Sequence, residues 1–173
     1  MFIILKKIGS YGPLILLLFS IFLLRNKSNL LFYYILFFGI SVILNAVLKG
    51  LIQQPRPSID PKTFQLMMKN KERYISKHGI PYDIFGMPSG HSQSVVFSTI
   101  FIYLCLRDLK ILLVYIVVSL ITLSQRVLYM HHTVMQVVIG SFIGVVLGNL
   151  GYSMAKLNIE GKKTAKRDDY GPV

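Results

Sequence analysis

Five stretches of the chain are almost continuously apolar, and their lengths approach that of a membrane-spanning helix. A helix needs about 20 residues to cross a hydrocarbon core about 30 Å thick, so the third and fourth stretches, which are shorter, must recruit flanking residues. The pattern predicts an all-α fold, a polytopic membrane bundle of about five transmembrane helices. The stretches are Ile8 to Leu24, Leu30 to Leu48, Ser92 to Leu106, Ile111 to Leu123 and Val134 to Ala155.

The long loop after the second stretch carries a further helical pattern. Asp60 is a favourable N-cap, Pro61 suits the first helical turn, and Gly79 suits the end of a helix. Between them, apolar residues recur at roughly helical spacing among lysines and arginines. We therefore expect an amphipathic interfacial helix on the lipid surface, either as a simple anchor or as a lid that guides an anionic headgroup.

The composition excludes an ordinary soluble domain and narrows the range of partners. Of the 173 residues, 53% are hydrophobic and 15% are charged, and the mean hydropathy is +0.57. We expect one integral membrane domain over residues 1–156 and a polar, basic C-terminal tail over residues 157–173. The net charge of +12 accompanies no RNA-binding motif or zinc-finger spacing, which argues against nucleic acid as a partner. Membrane lipids and a phosphate-bearing substrate are the expected partners.

The charges between the apolar stretches predict an orientation. With five crossings, the loops after the second and fourth stretches lie on the same membrane face, which we expect to be lumenal or extracytoplasmic. Lys6 and Lys7 precede the first stretch, but no small-residue cleavage site follows it, so we expect a retained anchor. A location in the endoplasmic reticulum is expected if the protein is of eukaryotic type. The cations that the positive-inside rule assigns to the cytoplasm are Arg25, Lys27, Arg107, Lys110 and those of the tail.

Three short segments near the lumenal loops combine cations with turn residues, hydroxyls and imidazoles. Lys49 precedes Arg56 with six residues between them, Pro88-Ser89-Gly90-His91 follows, and Arg126 precedes His132 with five residues between them. Guanidinium and ammonium groups neutralise phosphate oxygens, turn N–H groups cradle them, and imidazoles attack or protonate a phosphate ester. Taken singly, the first two cations could instead reach lipid headgroups, and the serine could be a helix N-cap.

In this order, the three segments resemble the signature of the type-2 phosphatidate phosphatase superfamily of membrane lipid phosphatases. The resemblance spans residues 49–136, about half of the chain. It implies that the histidines of the second and third segments, His91 and His132, serve as the acid–base residue and the nucleophile.

Side-chain chemistry supports the same division of roles. A neutral His132 would attack the phosphorus in line and form a phosphohistidine. His91 would protonate the departing oxygen and then deprotonate the hydrolytic water. Because several cations would surround the equatorial oxygens, no metal or other cofactor is required. Arg126 is expected to act with the two histidines in catalysis, and the expected phosphate-binding residues are Lys49, Arg56, Ser89, Gly90 and Arg126.

Two positions in the third segment depart from the superfamily pattern. Gln125 separates Ser124 from Arg126, and Gln136 stands four residues after His132, where an aspartate is usual. On a helix, Gln136 can still approach His132 and orient it through its amide oxygen. It cannot supply the negative charge that would stabilise an imidazolium.

In having a glutamine at position 136, the chain resembles the dolichyl or polyprenyl diphosphatase branch of the superfamily. The runs Gln54-Pro55-Arg56-Pro57 and Gly86 to Gln93 look like the same branch, although a serine is common there in place of Gly90. The resemblance implies a polyprenyl diphosphate substrate, hydrolysed to the monophosphate and phosphate. The alternatives are a phosphatidate or other lipid monophosphate phosphatase, a headgroup phosphotransferase, and a non-catalytic protein that binds acidic lipids.

Small residues repeat along the fifth stretch. Gly140, Gly144 and Gly148 recur every four residues, so one helix face lacks bulk. Close packing within the bundle and a homodimer interface both account for this spacing.

Overall fold

The computed structural model describes residues 2–70 and 83–168, and over these ranges the chain forms six α-helices. The all-α prediction is confirmed. The helices are α1 (Phe2–Leu24), α2 (Ser28–Ile52), α3 (Pro61–Lys69), α4 (Gly90–Leu106), α5 (Leu109–Leu128) and α6 (Val134–Asp168).

Among the described residues, four helices rather than the expected five have apolar segments of membrane-spanning length. These segments are Lys6–Leu24, Ser28–Ile52, Leu109–Leu128 and Val134–Gly161. The fifth apolar helix, α4, has only 17 residues and is about 26 Å long. It is the central helix of the bundle and contacts α1, α2, α5 and α6, so much of its surface meets protein rather than lipid.

Aromatic rings and paired hydroxyls join α4 to its neighbours. The rings of Tyr34, Phe97 and Phe101 are tilted or edge-on to one another at 5.4–5.8 Å between centroids. The Tyr34 hydroxyl also lies 2.8 Å from Ser98 Oγ. Within a membrane, helices associate through close packing and through hydrogen bonds of this kind.

The glycines of α6 face α4. A Cβ atom at Gly140 would collide with the carbonyl oxygen of Ser89, and one at Gly144 would lie 2.5 Å from the carbonyl oxygen of Gln93. A Cβ atom at Gly148 would lie 2.9 Å from Ile100 Cβ. Packing within the bundle therefore accounts for the glycine repeat, and α4 covers the face that a second copy would need.

The three segments singled out in the sequence meet at one end of the bundle. Pro55 and Phe85 form an isolated antiparallel bridge, and the Gly86 N–H donates to the Gln54 carbonyl oxygen at 2.7 Å. The Ser89 N–H donates to the Gln136 carbonyl oxygen at 3.0 Å. Which side of a membrane this end faces stays a prediction.

Two predicted boundaries differ from the structure. Asp60 caps α3 as predicted, since its carboxylate accepts from the Thr63 N–H at 3.0 Å, but α3 ends at Lys69, well before Gly79. Gly79 lies outside the described residues, and the contact of this helix with lipid stays a prediction. At the other end of the chain, α6 continues to Asp168, so the predicted tail begins inside a helix.

Candidate active site

The first segment contributes two cations from the end of α2 and the turn that follows. Lys49 lies in the last turn of α2 and is only 8% exposed. Arg56 follows the helix and is fixed by three oxygen contacts. Its Nη2 pairs with the Asp83 carboxylate, its Nε donates to the Asp83 carbonyl oxygen at 2.5 Å, and its Nη1 donates to the His131 carbonyl oxygen at 3.5 Å.

The second segment forms the N-terminus of α4. Ser89 is fully buried and caps the helix, because its Oγ accepts from the Ser92 N–H at 3.5 Å and from the Ser92 hydroxyl at 2.9 Å. The N-cap interpretation of this serine is thus confirmed, and its contact with phosphate stays a prediction. Gly90 opens the helix, where first-turn N–H groups lack helical acceptors and favour an anion.

His91 lies in the first turn of α4 and touches α1. Its Nε2 is 3.1 Å from the carbonyl oxygen of Ser10, in the first helix. Because a carbonyl can only accept, Nε2 carries a proton in this arrangement. A contact with the first helix thus fixes the ring of the expected acid–base residue.

The third segment begins with Arg126 in the last turn of α5. Its side chain is 7% exposed, and its Nε has no hydrogen-bond partner among the described residues. A buried guanidinium N–H without an acceptor is costly in a protein interior. An anionic ligand at this position would satisfy it.

His132 lies between α5 and α6 and is 2% exposed. Its Nδ1 lies 2.8 Å from the carbonyl oxygen of Gly86 and 3.3 Å from Oε1 of Gln136. Both are acceptors, so Nδ1 carries the proton and Nε2 keeps its lone pair. Burial, followed by the charges of Arg56, Arg126 and Lys49, lowers the pKa of His132 to about 3, and the Gly86 contact only partly opposes this. The ring is therefore neutral near pH 7.

Gln136 joins the three segments. It is fully buried in the first turn of α6, and its Oε1 accepts from the Thr133 N–H at 3.1 Å. Its Nε2 donates to Gln54 Oε1 at 2.9 Å and to the Pro55 carbonyl oxygen at 3.0 Å. The predicted approach of Gln136 to His132 is observed.

The three predicted cations form one group around the two histidines. Lys49, Arg56 and Arg126 all lie within electrostatic range of both imidazoles. Asp83 faces the same group and carries the opposite charge. The structure therefore brings together the basic and imidazole side chains that the sequence singled out, around a site with excess positive charge.

The sequence assigned no site role to three residues that shape this site, although Gln54 lies in one of the runs that resemble the diphosphatase branch. They are Asp83, which fixes Arg56, Gln54, which holds Gln136, and Ser10, which contacts His91. A signal was available only for Asp83, a lone carboxylate three residues before Gly86 in a strongly basic chain. Gln54 and Ser10 act through contacts between distant parts of the chain, which no local pattern reveals.

Comparison with known protein families gives a match over most of the chain. A family described as the PAP2 superfamily matches residues 30–160. The chain belongs to the PAP2 superfamily. Members of the PAP2 superfamily are phosphatases, and membership indicates activity on lipid-like phosphates. Together with the four long apolar helices, it supports an integral membrane protein. Comparisons with curated proteins and with solved structures gave no match.

The PAP2 match covers all three site segments and leaves α1 outside. The resemblance to the superfamily is confirmed, whereas the diphosphatase branch within it stays a prediction. The identity of the substrate and the catalytic roles of the residues therefore stay predictions.

Proposed function

We propose that this PAP2 protein is a metal-independent diphosphatase that hydrolyses a polyprenyl diphosphate to the monophosphate and phosphate through a phosphohistidine at His132. The observation that carries the proposal is a buried, neutral imidazole whose Nδ1 faces two acceptors, with three cations within electrostatic range of the ring. Such a ring offers the Nε2 lone pair to a phosphate group that the cations hold.

In the first step, Nε2 of His132 bonds to the terminal phosphorus, and the bond from that phosphorus to the bridging oxygen breaks. The electron pair leaves on the bridging oxygen, which takes a proton from His91. The negative charge of the bound diphosphate favours the protonated imidazole that this step requires. The polyprenyl monophosphate departs, and the terminal phosphoryl group stays on His132.

In the second step, His91 removes a proton from water while the water oxygen bonds to the phosphorus and the P–N bond breaks. This releases phosphate, restores neutral His132 and leaves His91 protonated for the next cycle. Throughout, Lys49, Arg56 and Arg126 stabilise the charge on the equatorial oxygens, which is the main source of rate in phosphoryl transfer.

A cavity beside His91 supports a lipid substrate. It has a volume of about 350 Å³, lies between α1, α2 and α4, and reaches the site at Gly90 and His91. Its apolar wall includes Pro13, Leu14, Phe38 and Val42. An amphiphile with its phosphate among the cations and its first apolar carbons along this wall would use both surfaces. The sequence resemblance around Gln136 favours a polyprenyl chain and a diphosphate.

Phosphate release from purified protein tests the proposal. We expect faster release from a polyprenyl diphosphate than from the matching monophosphate or from phosphatidate, each in mixed micelles with a chelator present. His132→Ala should lower the rate roughly 1,000-fold or more, since the nucleophile is lost. His131→Ala is the matched control, because His131 accepts from Arg56 through its backbone carbonyl oxygen, which the variant keeps. Mass spectrometry of quenched enzyme should find the phosphoryl group on His132.

Other outcomes would favour other functions. Faster release from phosphatidate or a monophosphate would favour a lipid monophosphate phosphatase. Transfer of the phosphoryl group to an added alcohol in place of water would favour a phosphotransferase. A wild-type protein that releases phosphate from none of these lipids would favour a lipid-binding role without catalysis.

A further inference from the structure

One residue, Gln54, holds both acceptors that fix the His132 ring. The Gln54 carbonyl oxygen accepts from the Gly86 N–H at 2.7 Å, and the Gly86 carbonyl oxygen lies 2.8 Å from His132 Nδ1. The Gln54 side-chain Oε1 accepts from Gln136 Nε2 at 2.9 Å, and Gln136 Oε1 lies 3.3 Å from the same Nδ1. Gln54 therefore reaches the imidazole by a backbone route and by a side-chain route.

We propose that Gln54 is a positioning residue for His132, and that Gln54 and Gln136 form a neutral amide pair in which position 136 requires an amide rather than a carboxylate. The kinetic consequences rest on the proposed function, whereas the orientation of the ring can be measured without turnover.

The orientation of the Gln136 amide follows from its partners. The Thr133 N–H can only donate, so the atom 3.1 Å away is the amide oxygen. The amide nitrogen then faces Gln54 Oε1 and the Pro55 carbonyl oxygen, at 2.9 and 3.0 Å. Both amide N–H groups and the amide oxygen are used within a fully buried side chain.

A carboxylate at position 136 would disrupt this arrangement. One of its oxygens would face the Pro55 carbonyl oxygen, which cannot donate, so a buried charge would lie against an acceptor. Gln54 could turn its amide to donate, but Pro55 has no such freedom. The amide at position 136 is therefore suited to its surroundings here, although it replaces the aspartate expected from the superfamily pattern.

A carboxylate at position 54 would have the opposite outcome. Gln54 is exposed, and its Oε1 only accepts from Gln136. A glutamate at position 54 can accept the same hydrogen bond, and solvent can hydrate its charge. The proposal thus predicts that negative charge is tolerated at position 54 and not at position 136, although the two side chains are bonded to each other.

The test compares Gln54→Glu, Gln54→Leu and Gln136→Glu with wild type. Gln65→Leu is the matched control, since it makes the same change at an exposed glutamine of α3. Phosphate release from polyprenyl diphosphate gives kcat and KM. In parallel, ¹⁵N NMR of histidine-labelled protein in detergent reports which ring nitrogen of His132 carries the proton, and His132→Ala assigns its signals among the four histidines.

We expect Gln54→Glu to match wild type in both measurements. Gln54→Leu should lower kcat roughly three- to tenfold, the effect of about one lost hydrogen bond, and leave KM within about twofold. Its His132 signals should shift only in part toward those of the other tautomer, because the Gly86 carbonyl oxygen still accepts from Nδ1 whereas Gln136 keeps only one fixed partner for its nitrogen. Gln136→Glu should lower kcat at least about tenfold.

The proposal is overturned if Gln54→Leu and Gln65→Leu behave alike in both kcat and the His132 nitrogen signals, or if Gln136→Glu is as active as wild type. Because Gln54 is exposed, its variants keep the test valid even where Gln136→Glu fails to fold. If wild type releases no phosphate, the proposed function fails, and the NMR comparison of the two leucine variants alone decides the role of Gln54.

Discussion

Among the residues that the structure describes, buried and half-buried cations outnumber the carboxylates that face them at this site. Lys49, Arg56 and Arg126 lie near Asp83, which is held by Arg56. Arg56 has three oxygen contacts, whereas Nε of Arg126 has no partner among the described residues. Arg56 is thus preorganised by the protein, and Arg126 is left for the substrate. An incoming phosphate would balance the excess charge.

Asp83→Ala should therefore lower kcat for phosphate release roughly tenfold or more, because a charge-assisted hydrogen bond contributes about 1.5–3 kcal/mol. Asp83→Asn should lose less, since its amide oxygen can still accept from Arg56. Asp108→Ala is the control, because it removes the same charge from the N-cap of α5 at the opposite end of the bundle. Equal kinetics for Asp83→Ala and Asp108→Ala would contradict this role of Asp83.

The buried His132 also makes stability depend on pH. Its pKa is about 3 in the folded protein and 6.5 in the absence of structure. Between these values the unfolded chain binds more protons than the folded one, so folding stability falls as pH decreases below about 6.5. Without phosphate, the melting temperature of wild type should drop between pH 7.5 and 5 by more than that of His132→Ala. Equal drops would show that the imidazole is not held neutral.

At the scale of helices, the sequence predicted which helices form better than it predicted where each helix begins and ends. Apolar runs located five of the six helices, and Asp60 and Ser89 marked two N-caps correctly because capping is local chemistry. The central position of α4 was not predicted, because a short apolar sequence is compatible both with a helix surrounded by lipid and with a helix surrounded by protein. The basic and imidazole residues that lie together here were singled out by their residue types and by the resemblance to the superfamily signature, and their catalytic roles stay predictions. Gln54 and Ser10 were assigned no site role, since their partners are remote in sequence.

The contact of α6 with α4 gives a prediction at this scale. A Cβ atom at Gly140 would collide with the backbone of Ser89, which cannot move without displacing the N-terminus of α4 and His91. Gly140→Ala should destabilise the protein by about 1–3 kcal/mol and reduce phosphate release. Gly39→Ala, at a helical glycine with no atom within 4 Å of the added Cβ, should be neutral or slightly stabilising. Thermal unfolding in detergent compares the two, and similar melting temperatures would refute tight packing at Gly140.

At the scale of the whole molecule, the candidate active site contacts α1, a helix that lies outside the PAP2 match. Ser10 of α1 contacts His91 through its carbonyl oxygen and accepts from Gln125 Nε2 at 3.2 Å through its hydroxyl. A Cβ atom at Gly9 would collide with Gln125, so α1 lies directly against α5. The residue that separates Ser124 from Arg126 therefore has a partner on α1. The site is completed by α1 as well as by the matched residues.

The exposed cations next to the short connections of the bundle lead to a prediction of orientation. Lys6 and Lys7 near the site end are exposed, as are Arg25, Arg107 and Lys110 at the opposite end. The latter three adjoin the short connections between α1 and α2 and between α4 and α5. Exposed cations next to short connections favour the cytoplasmic side, which places the site on the other side.

Because Cys105 is the one cysteine of the chain, a Cys105→Ala background permits labelling of single introduced cysteines. In intact cells, an impermeant maleimide should label Ser58→Cys, an exposed residue beside Arg56, and should label Asn26→Cys only after permeabilisation. Labelling in the reverse order would place the site in the cytoplasm, and the lipid phosphate would then have to be presented from the inner leaflet.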